Sequence, residues 1–175
     1  MWDGVSWEAE DDYRGTTYWL PTAKHGDQGI EVKDLGALPE GSSLAEPEET
    51  LEELKTKKLR KLSSLTAAKI TGGFTSSATG QEVKYDSDMD TQVTMQGIGV
   101  NAEQIDTVYP TGVPVRGYVG DSDAKTIQYL SGEQVKQWLA DLSMHIGACK
   151  QWGWSKQAEI NACGTIEELE KIILE

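Results

Sequence analysis

Leucines recur at helical spacing through the stretch TLEELKTKKLRKLSSLTAAKITGG, residues 50–73, and this spacing predicts an amphipathic helix. Thr50 and Glu53 have the spacing of a capping box, in which each side chain bonds to the other's backbone N–H. The paired glycines Gly72 and Gly73 predict the end of the helix. The leucines that set the pattern are Leu51, Leu54, Leu62 and Leu65.

A second apolar stripe with helical period begins after Ser131, which forms another capping-box pair with Gln134. The stripe is long enough to predict the longest helix of the chain. The capping pattern recurs at Thr165 and Glu168 and predicts a short closing helix. The stripe consists of Val135, Trp138, Leu139, Leu142, Ile146 and Cys149.

Short β-branched or aromatic runs separated by turn residues predict the strands. The run GFTSSATGQEVKY predicts a hairpin that turns at residues 78–80, and VPVRGYVGDSDAKTIQYL predicts a second hairpin around GDSDA. Residues 1–38 contain WDGVSWE, TTYWLP and GIEVKDL, which indicate a small meander of strands. Residues 101–112 are interpreted as a connection.

These elements predict an α+β protein with a short strand-rich N-terminal head, then helices with two β-hairpins, the last long helix lying near the C-terminus. The head is predicted at residues 1–38 and the α+β domain at residues 50–175. Between them, residues 39–49 combine Pro, Ser and Glu and have little to bury. This composition predicts an acidic linker.

Three aspartates at alternating positions, Asp86, Asp88 and Asp90, resemble the start of an EF-hand calcium loop. Such a loop needs Gly at its sixth position and Glu at its twelfth, and the chain has Thr91 and Gly97 there. We therefore predict that Ser87 or Asp88 caps a helix instead. On that helix, one face would carry Met89, Val93, Gly97 and Val100.

The net charge of −13 makes nucleic acid and anionic membranes poor candidate partners, because both are negatively charged. Residues 51–71 are locally basic, and a solvated helix face is the favoured interpretation. The chain has no apolar run of about 20 residues, and its acidic start does not resemble a secretion signal. We therefore expect a cytoplasmic protein whose Cys149 and Cys163 stay reduced.

The sequence offers no recognisable catalytic, cofactor or metal site. His145, Cys149 and Cys163 would supply three zinc ligands, but no fourth is evident, and Cys149 continues the apolar stripe. The pair Asp121 and Asp123 lies in a hairpin turn, where acidic side chains bond to the local backbone. We predict a protein that is not an enzyme and uses no cofactor or metal.

Partner binding through aromatic side chains is the remaining candidate chemistry, and it is assigned to Trp154, Trp19 and Trp7. Trp154 is two positions after Trp152, which on a helix points it about 200° away from the apolar stripe. The alternative is that Gly153 bends the helix and Trp154 packs near Ile172 beneath the closing helix.

The order of the elements resembles the phage and prophage domain of unknown function 4376 over about residues 51–174. The resemblance rests on the Lys-rich helix, the hairpin before YDSDMDTQVTMQG, the second hairpin before LSGEQVKQWLADLSMHIGACKQ, and INACGTIEELEKI. It implies an origin in tailed phages, often beside tail-fibre genes, and a role in tail-fibre assembly. The family supplies no catalytic residues.

Two functions follow as hypotheses. In the first, the protein is a tail-fibre assembly factor or small virion component that binds a fibre or baseplate protein in the host cytoplasm. In the second, the protein is a carbohydrate-binding or host-directed phage factor, in which exposed tryptophans and carboxylates bind a ligand. Whether the protein forms a homo-oligomer, or is retained in the virion, stays open at this stage.

Overall fold

A computed structural model describes residues 11–175 of the chain, so the predicted strand piece WDGVSWE lies outside the described residues. The chain divides into two compact units between Leu54 and Lys55. Helices and two antiparallel sheets are both present, which confirms the predicted α+β class.

The first unit contains two short antiparallel strands, β1 (Thr17–Tyr18) and β2 (Ile30–Glu31). Residues of the predicted linker hydrogen bond to the predicted head. Trp19 and Ser43 exchange both backbone hydrogen bonds, at 2.8 and 2.9 Å, and a ring nitrogen of His25 lies 3.0 Å from the carbonyl oxygen of Pro47. Residues 39–49 therefore belong to the same compact unit as the strands.

The second unit combines a four-stranded sheet with helices. Helix α1 (Leu51–Thr71) leads into it. The strands are β3 (Phe74–Ser76), β4 (Val83–Tyr85), β5 (Val113–Val119) and β6 (Lys125–Leu130). The other helices are α2 (Met89–Val100), α3 (Ile105–Val108), α4 (Gly132–Ala162) and α5 (Ile166–Lys171).

The sheet is antiparallel, in the order β3-β4-β5-β6, and both predicted hairpins are confirmed. One face of the sheet carries Phe74, Val83 and Tyr85, which pack with Trp138 of α4 and Met95 of α2 in the hydrophobic core. Alternation of buried and exposed residues along β5 follows the two-residue period of a strand. Burial of one face therefore fixes the register of the hairpin.

The predicted helix caps are present. Thr50 and Glu53 bond to each other's backbone N–H at 2.8 and 3.3 Å, and Ser131 and Gln134 do so at 2.9 and 3.4 Å. The Thr165 hydroxyl accepts from the backbone N–H of Glu168 at 3.2 Å. These bonds satisfy N–H groups that the first helical turn leaves without an internal partner.

The end of α1 is fixed by a glycine and by a serine from further along the chain. Gly73 has φ +98°, in the left-handed region that favours glycine, and an added Cβ would lie 2.9 Å from the Tyr85 carbonyl oxygen. The buried Ser87 hydroxyl accepts from the Gly73 N–H and donates to the Ile70 carbonyl. The end of α1 is thereby joined to the start of α2.

The predicted connection at residues 101–112 contains a 3-10 turn (Ala102–Gln104) followed by α3. Ala102 and Ile105 are buried in the core, although the segment is too short to show a helical period. Within residues 11–175, no helix combines the length and apolar character needed to cross a membrane.

Candidate functional site

A groove runs between α1 and α4, and its floor depends on a close approach of the two helices. Gly153 is buried inside α4, and a Cβ added to it would lie 2.8 Å from Thr66 Oγ1 of α1. Because glycine has no side chain, α1 can lie against α4 at this point. The groove encloses about 410 Å³, and its apolar residues include Leu59, Leu62 and Ile70.

Trp154 lies at the edge of this groove and remains 66% exposed. The alternative prediction, in which Gly153 bends the helix and Trp154 packs near Ile172, is wrong, because the Trp154 side chain is exposed and α4 continues through Gly153 to Ala162. Glycine lowers helix propensity by about 1 kcal/mol, and the contact with α1 outweighs that local cost here. The large apolar side chain is left facing water, which is the arrangement expected of a protein-binding anchor.

The groove has a basic lining residue in a protein of net charge −13. Its charged lining residue is Lys150, and no acidic residue lines it in the described part of the chain. Arg60 is exposed and lies one helical turn before Ser63, which also lines the groove. An apolar groove with basic neighbours is complementary to an apolar side chain flanked by carboxylates.

Helical spacing predicts the outward direction of Trp154, which the structure confirms, but it does not indicate that α1 forms the other side of the groove. The spacing of the leucines predicts that α1 buries an apolar stripe, without showing which helix covers it. The one sequence feature related to this packing is Gly153. A glycine within a helical pattern suggests a helix break, but here it marks the point where α1 approaches α4 closely.

Trp19 and Trp7, the other two predicted partner-binding residues, are not part of this groove in the described part of the chain. Trp19 is half-buried, and its indole N–H donates to the Asp27 carbonyl oxygen at 3.0 Å. Its ring also fills the space beside Gly29, where an added Cβ would come within 2.9 Å of it. Trp19 thus has an internal packing role in the first unit. Trp7 lies outside the described residues.

The three residues considered as zinc ligands do not converge. His145 Nε2 lies 3.0 Å from the Lys69 carbonyl oxygen and 3.7 Å from Cys149 Sγ. Cys163 follows Cys149 by 14 positions, or about 21 Å along a helix, and its thiol lies 3.4 Å from the Glu159 carbonyl oxygen. Among residues 11–175, no three His, Cys, Asp or Glu side chains form a group that could hold a metal ion.

Two of the three alternating aspartates have structural partners of their own. Asp88 caps α2 by accepting from the Thr91 backbone N–H at 3.0 Å, which confirms the capping prediction. Asp86 forms an ion pair with Lys125 of β6. The face of α2 with Met89, Val93 and Val100 is exposed, and the helix buries Met95 and Gln92 instead.

We expect Asp88→Ala to lower the melting temperature by about 2 to 4 °C, equally with and without millimolar calcium. Hydrogen bonds from the Thr91 side chain and backbone hold the pKa of Asp88 below its ordinary value. The stabilisation is therefore present at neutral pH and is lost as the pH falls through the lowered pKa. Calorimetry against pH and calcium measures both effects, and a calcium-dependent rise in melting temperature would contradict the capping role.

No family model, curated protein or solved structure matches the chain. The resemblance to the phage domain therefore stays a prediction. The candidate site rests on the geometry of α1 and α4.

Proposed function

We propose that the protein is a phage tail-fibre assembly factor that binds a fibre or baseplate protein through Trp154 and the groove between α1 and α4. The observation that supports this proposal best is the exposed Trp154 ring at the edge of an apolar groove. The phage assignment is supported by the sequence resemblance over about residues 51–174. The protein acts in the host cytoplasm and performs no chemical step.

In this proposal, binding is driven by removal of apolar surface from water on both partners. The Trp154 indole packs against the partner, while an apolar partner side chain enters the groove. Carboxylates of the partner beside that side chain face Lys150 and Arg60. The attraction between these charges raises the association rate and orients the partner. The preferred partner segment is therefore acidic and has at least one large apolar residue.

The test is a pull-down of the fibre and baseplate proteins encoded by the same phage. We expect the unmodified protein to retain one of them and Trp154→Ala to lose it, because a buried aromatic anchor supplies about 2 kcal/mol or more of binding free energy. That loss corresponds to about thirtyfold weaker binding. Lys150→Glu should weaken binding in low salt and have less effect in high salt.

Met144→Ala is the matched control, because Met144 is a large, 72% exposed side chain on the same helix but outside the groove. It should retain the partner. Equal retention by the Trp154 and Met144 variants would contradict the role of the groove. Failure to retain any fibre or baseplate protein would contradict the assembly function itself.

A further inference from the structure

One edge of the four-stranded sheet is formed by β6. The strand β5 pairs with one side of β6 over six positions, and no strand pairs with its other side in the described part of the chain. The side chains of Ile127 and Tyr129 are each 55% exposed, so this part of β6 faces water. The unpaired side, the open edge of β6, therefore presents backbone N–H and C=O groups to a further strand.

Pro114 of β5 shows which backbone groups lie at the open edge. It is opposite Tyr129 and has no N–H, so these two residues cannot exchange backbone hydrogen bonds. In an antiparallel ladder, bonded pairs alternate with unbonded pairs, and residues of the unbonded pairs direct their N–H and C=O groups away from the partner strand. The backbone groups of Lys125, Ile127 and Tyr129 therefore point to the open edge.

The open edge lacks the features by which proteins commonly prevent edge pairing. Such features are charged side chains, proline, bulges and very short strands. The edge strand on the other side of the sheet, β3, has only three residues, whereas β6 has six. The single charged residue of β6 is Lys125 at its first position, and its charge is paired with Asp86 of the same chain. The rest of β6 is uncharged and contains no Pro or Gly.

The sequence of β6 is complementary to itself in the antiparallel direction. With Ile127 opposite Ile127 of a second copy, each Lys125 lies opposite a Tyr129, so a cation meets an aromatic ring at both ends. The two Lys125 residues are then about 14 Å apart, and like charges do not meet. All three pairs use open-edge backbone groups, and each pair exchanges two hydrogen bonds.

We propose that two copies of this protein pair through the open edges of β6, antiparallel and centred on Ile127. A two-fold axis relates identical antiparallel strands, so the assembly closes at two copies and the two sheets become continuous. One pair of short strands buries less than the roughly 1,200 Å² of a standard interface, so the dimer should dissociate in the micromolar range. No residue of β6 lines the groove beside Trp154, so the dimer uses a different surface.

The first test is sedimentation equilibrium of the full-length protein from micromolar to millimolar concentration. Ile127→Lys should weaken dimerisation at least about tenfold, because it removes apolar contact and places two like charges opposite each other at the centre. The substitution also reduces the net charge of −13, which by itself favours association. A weaker dimer therefore reports strand pairing and not overall charge.

Val100→Lys is the matched control, because Val100 is an 84% exposed apolar residue on α2. It should leave the dimer unchanged. Circular dichroism melting shows that each variant is folded before its association is compared. Equal weakening by the Ile127 and Val100 variants would overturn the assignment to the open edge of β6.

Two substitutions at Tyr129 test the register. Tyr129→Lys places a lysine opposite Lys125 of the second copy, whereas Tyr129→Glu places a carboxylate there. We therefore expect the lysine variant to dimerise more weakly than the glutamate variant, although overall charge favours the opposite order. Equal dimerisation of the two variants would overturn the register centred on Ile127.

Amide hydrogen exchange measured by NMR locates the contact directly. The Ile127 and Tyr129 amides should exchange several times more slowly at millimolar than at micromolar concentration, whereas the Gln128 amide points to β5 and should be protected at both. A protein that is monomeric at every concentration would overturn the proposal, as would a dimer without slower exchange at Ile127. Protection of Ile127 only after a fibre or baseplate protein is added would overturn self-pairing and assign the edge to that protein.

Discussion

Replacing Trp138 by alanine is expected to lower the free energy of unfolding by about 3 to 5 kcal/mol, whereas Trp154→Ala should change it by less than about 0.5 kcal/mol. Both residues are tryptophans on α4, so the variants remove the same atoms from the same helix. They differ in burial, since Trp138 is 3% exposed and Trp154 is 66% exposed. Equilibrium unfolding in urea measures both values.

The large effect at Trp138 comes from the cavity that its removal leaves. Its ring lies 5.4 Å from that of Tyr85 and 6.5 Å from that of Phe74, so three aromatic side chains pack together over the sheet. Trp138→Phe keeps an aromatic ring in this cluster and should cost less than Trp138→Ala. If the two alanine variants lost similar amounts of unfolding free energy, the difference in burial between Trp138 and Trp154 would be contradicted.

The second large effect is expected at the first residue of α4. A Cβ added at Gly132 would lie 2.2 Å from the carbonyl oxygen of Ala102, a backbone atom that cannot rotate away. We therefore expect Gly132→Ala to destabilise the protein by about 1 to 3 kcal/mol. The Gly132 N–H also donates to Asp106 at 2.9 Å, and a shift of the helix start would weaken this bond.

Gly147→Ala is the matched control on the same helix. Nothing lies within 4 Å of a Cβ added at Gly147, so alanine should fit without strain. Because alanine has the higher helix propensity, this variant should raise the free energy of unfolding by up to about 1 kcal/mol. If Gly132→Ala also raised it in the urea experiment, the close contact with Ala102 would be contradicted.

The helix caps and the hairpins could be predicted from the sequence because their interactions are local. Asp88 bonds to Thr91 and Ser131 to Gln134, three positions away in each case, so the required groups are visible in a short stretch. The same holds for the paired strands of each hairpin, whose turn residues lie between them. The exposure of Trp154 could be predicted for a related reason, because its angle from Trp152 follows from helix geometry.

The sequence by itself determined the α+β class, the two hairpins, and the order and N-terminal caps of helices α1, α2, α4 and α5, because these depend on spacing along the chain. The tertiary structure decided which faces are covered. It placed Gly153 against α1, and it left Trp154 and the apolar face of α2 in water. These contacts join residues far apart in sequence, and short-range periodicity carries no information about which distant element covers a given face.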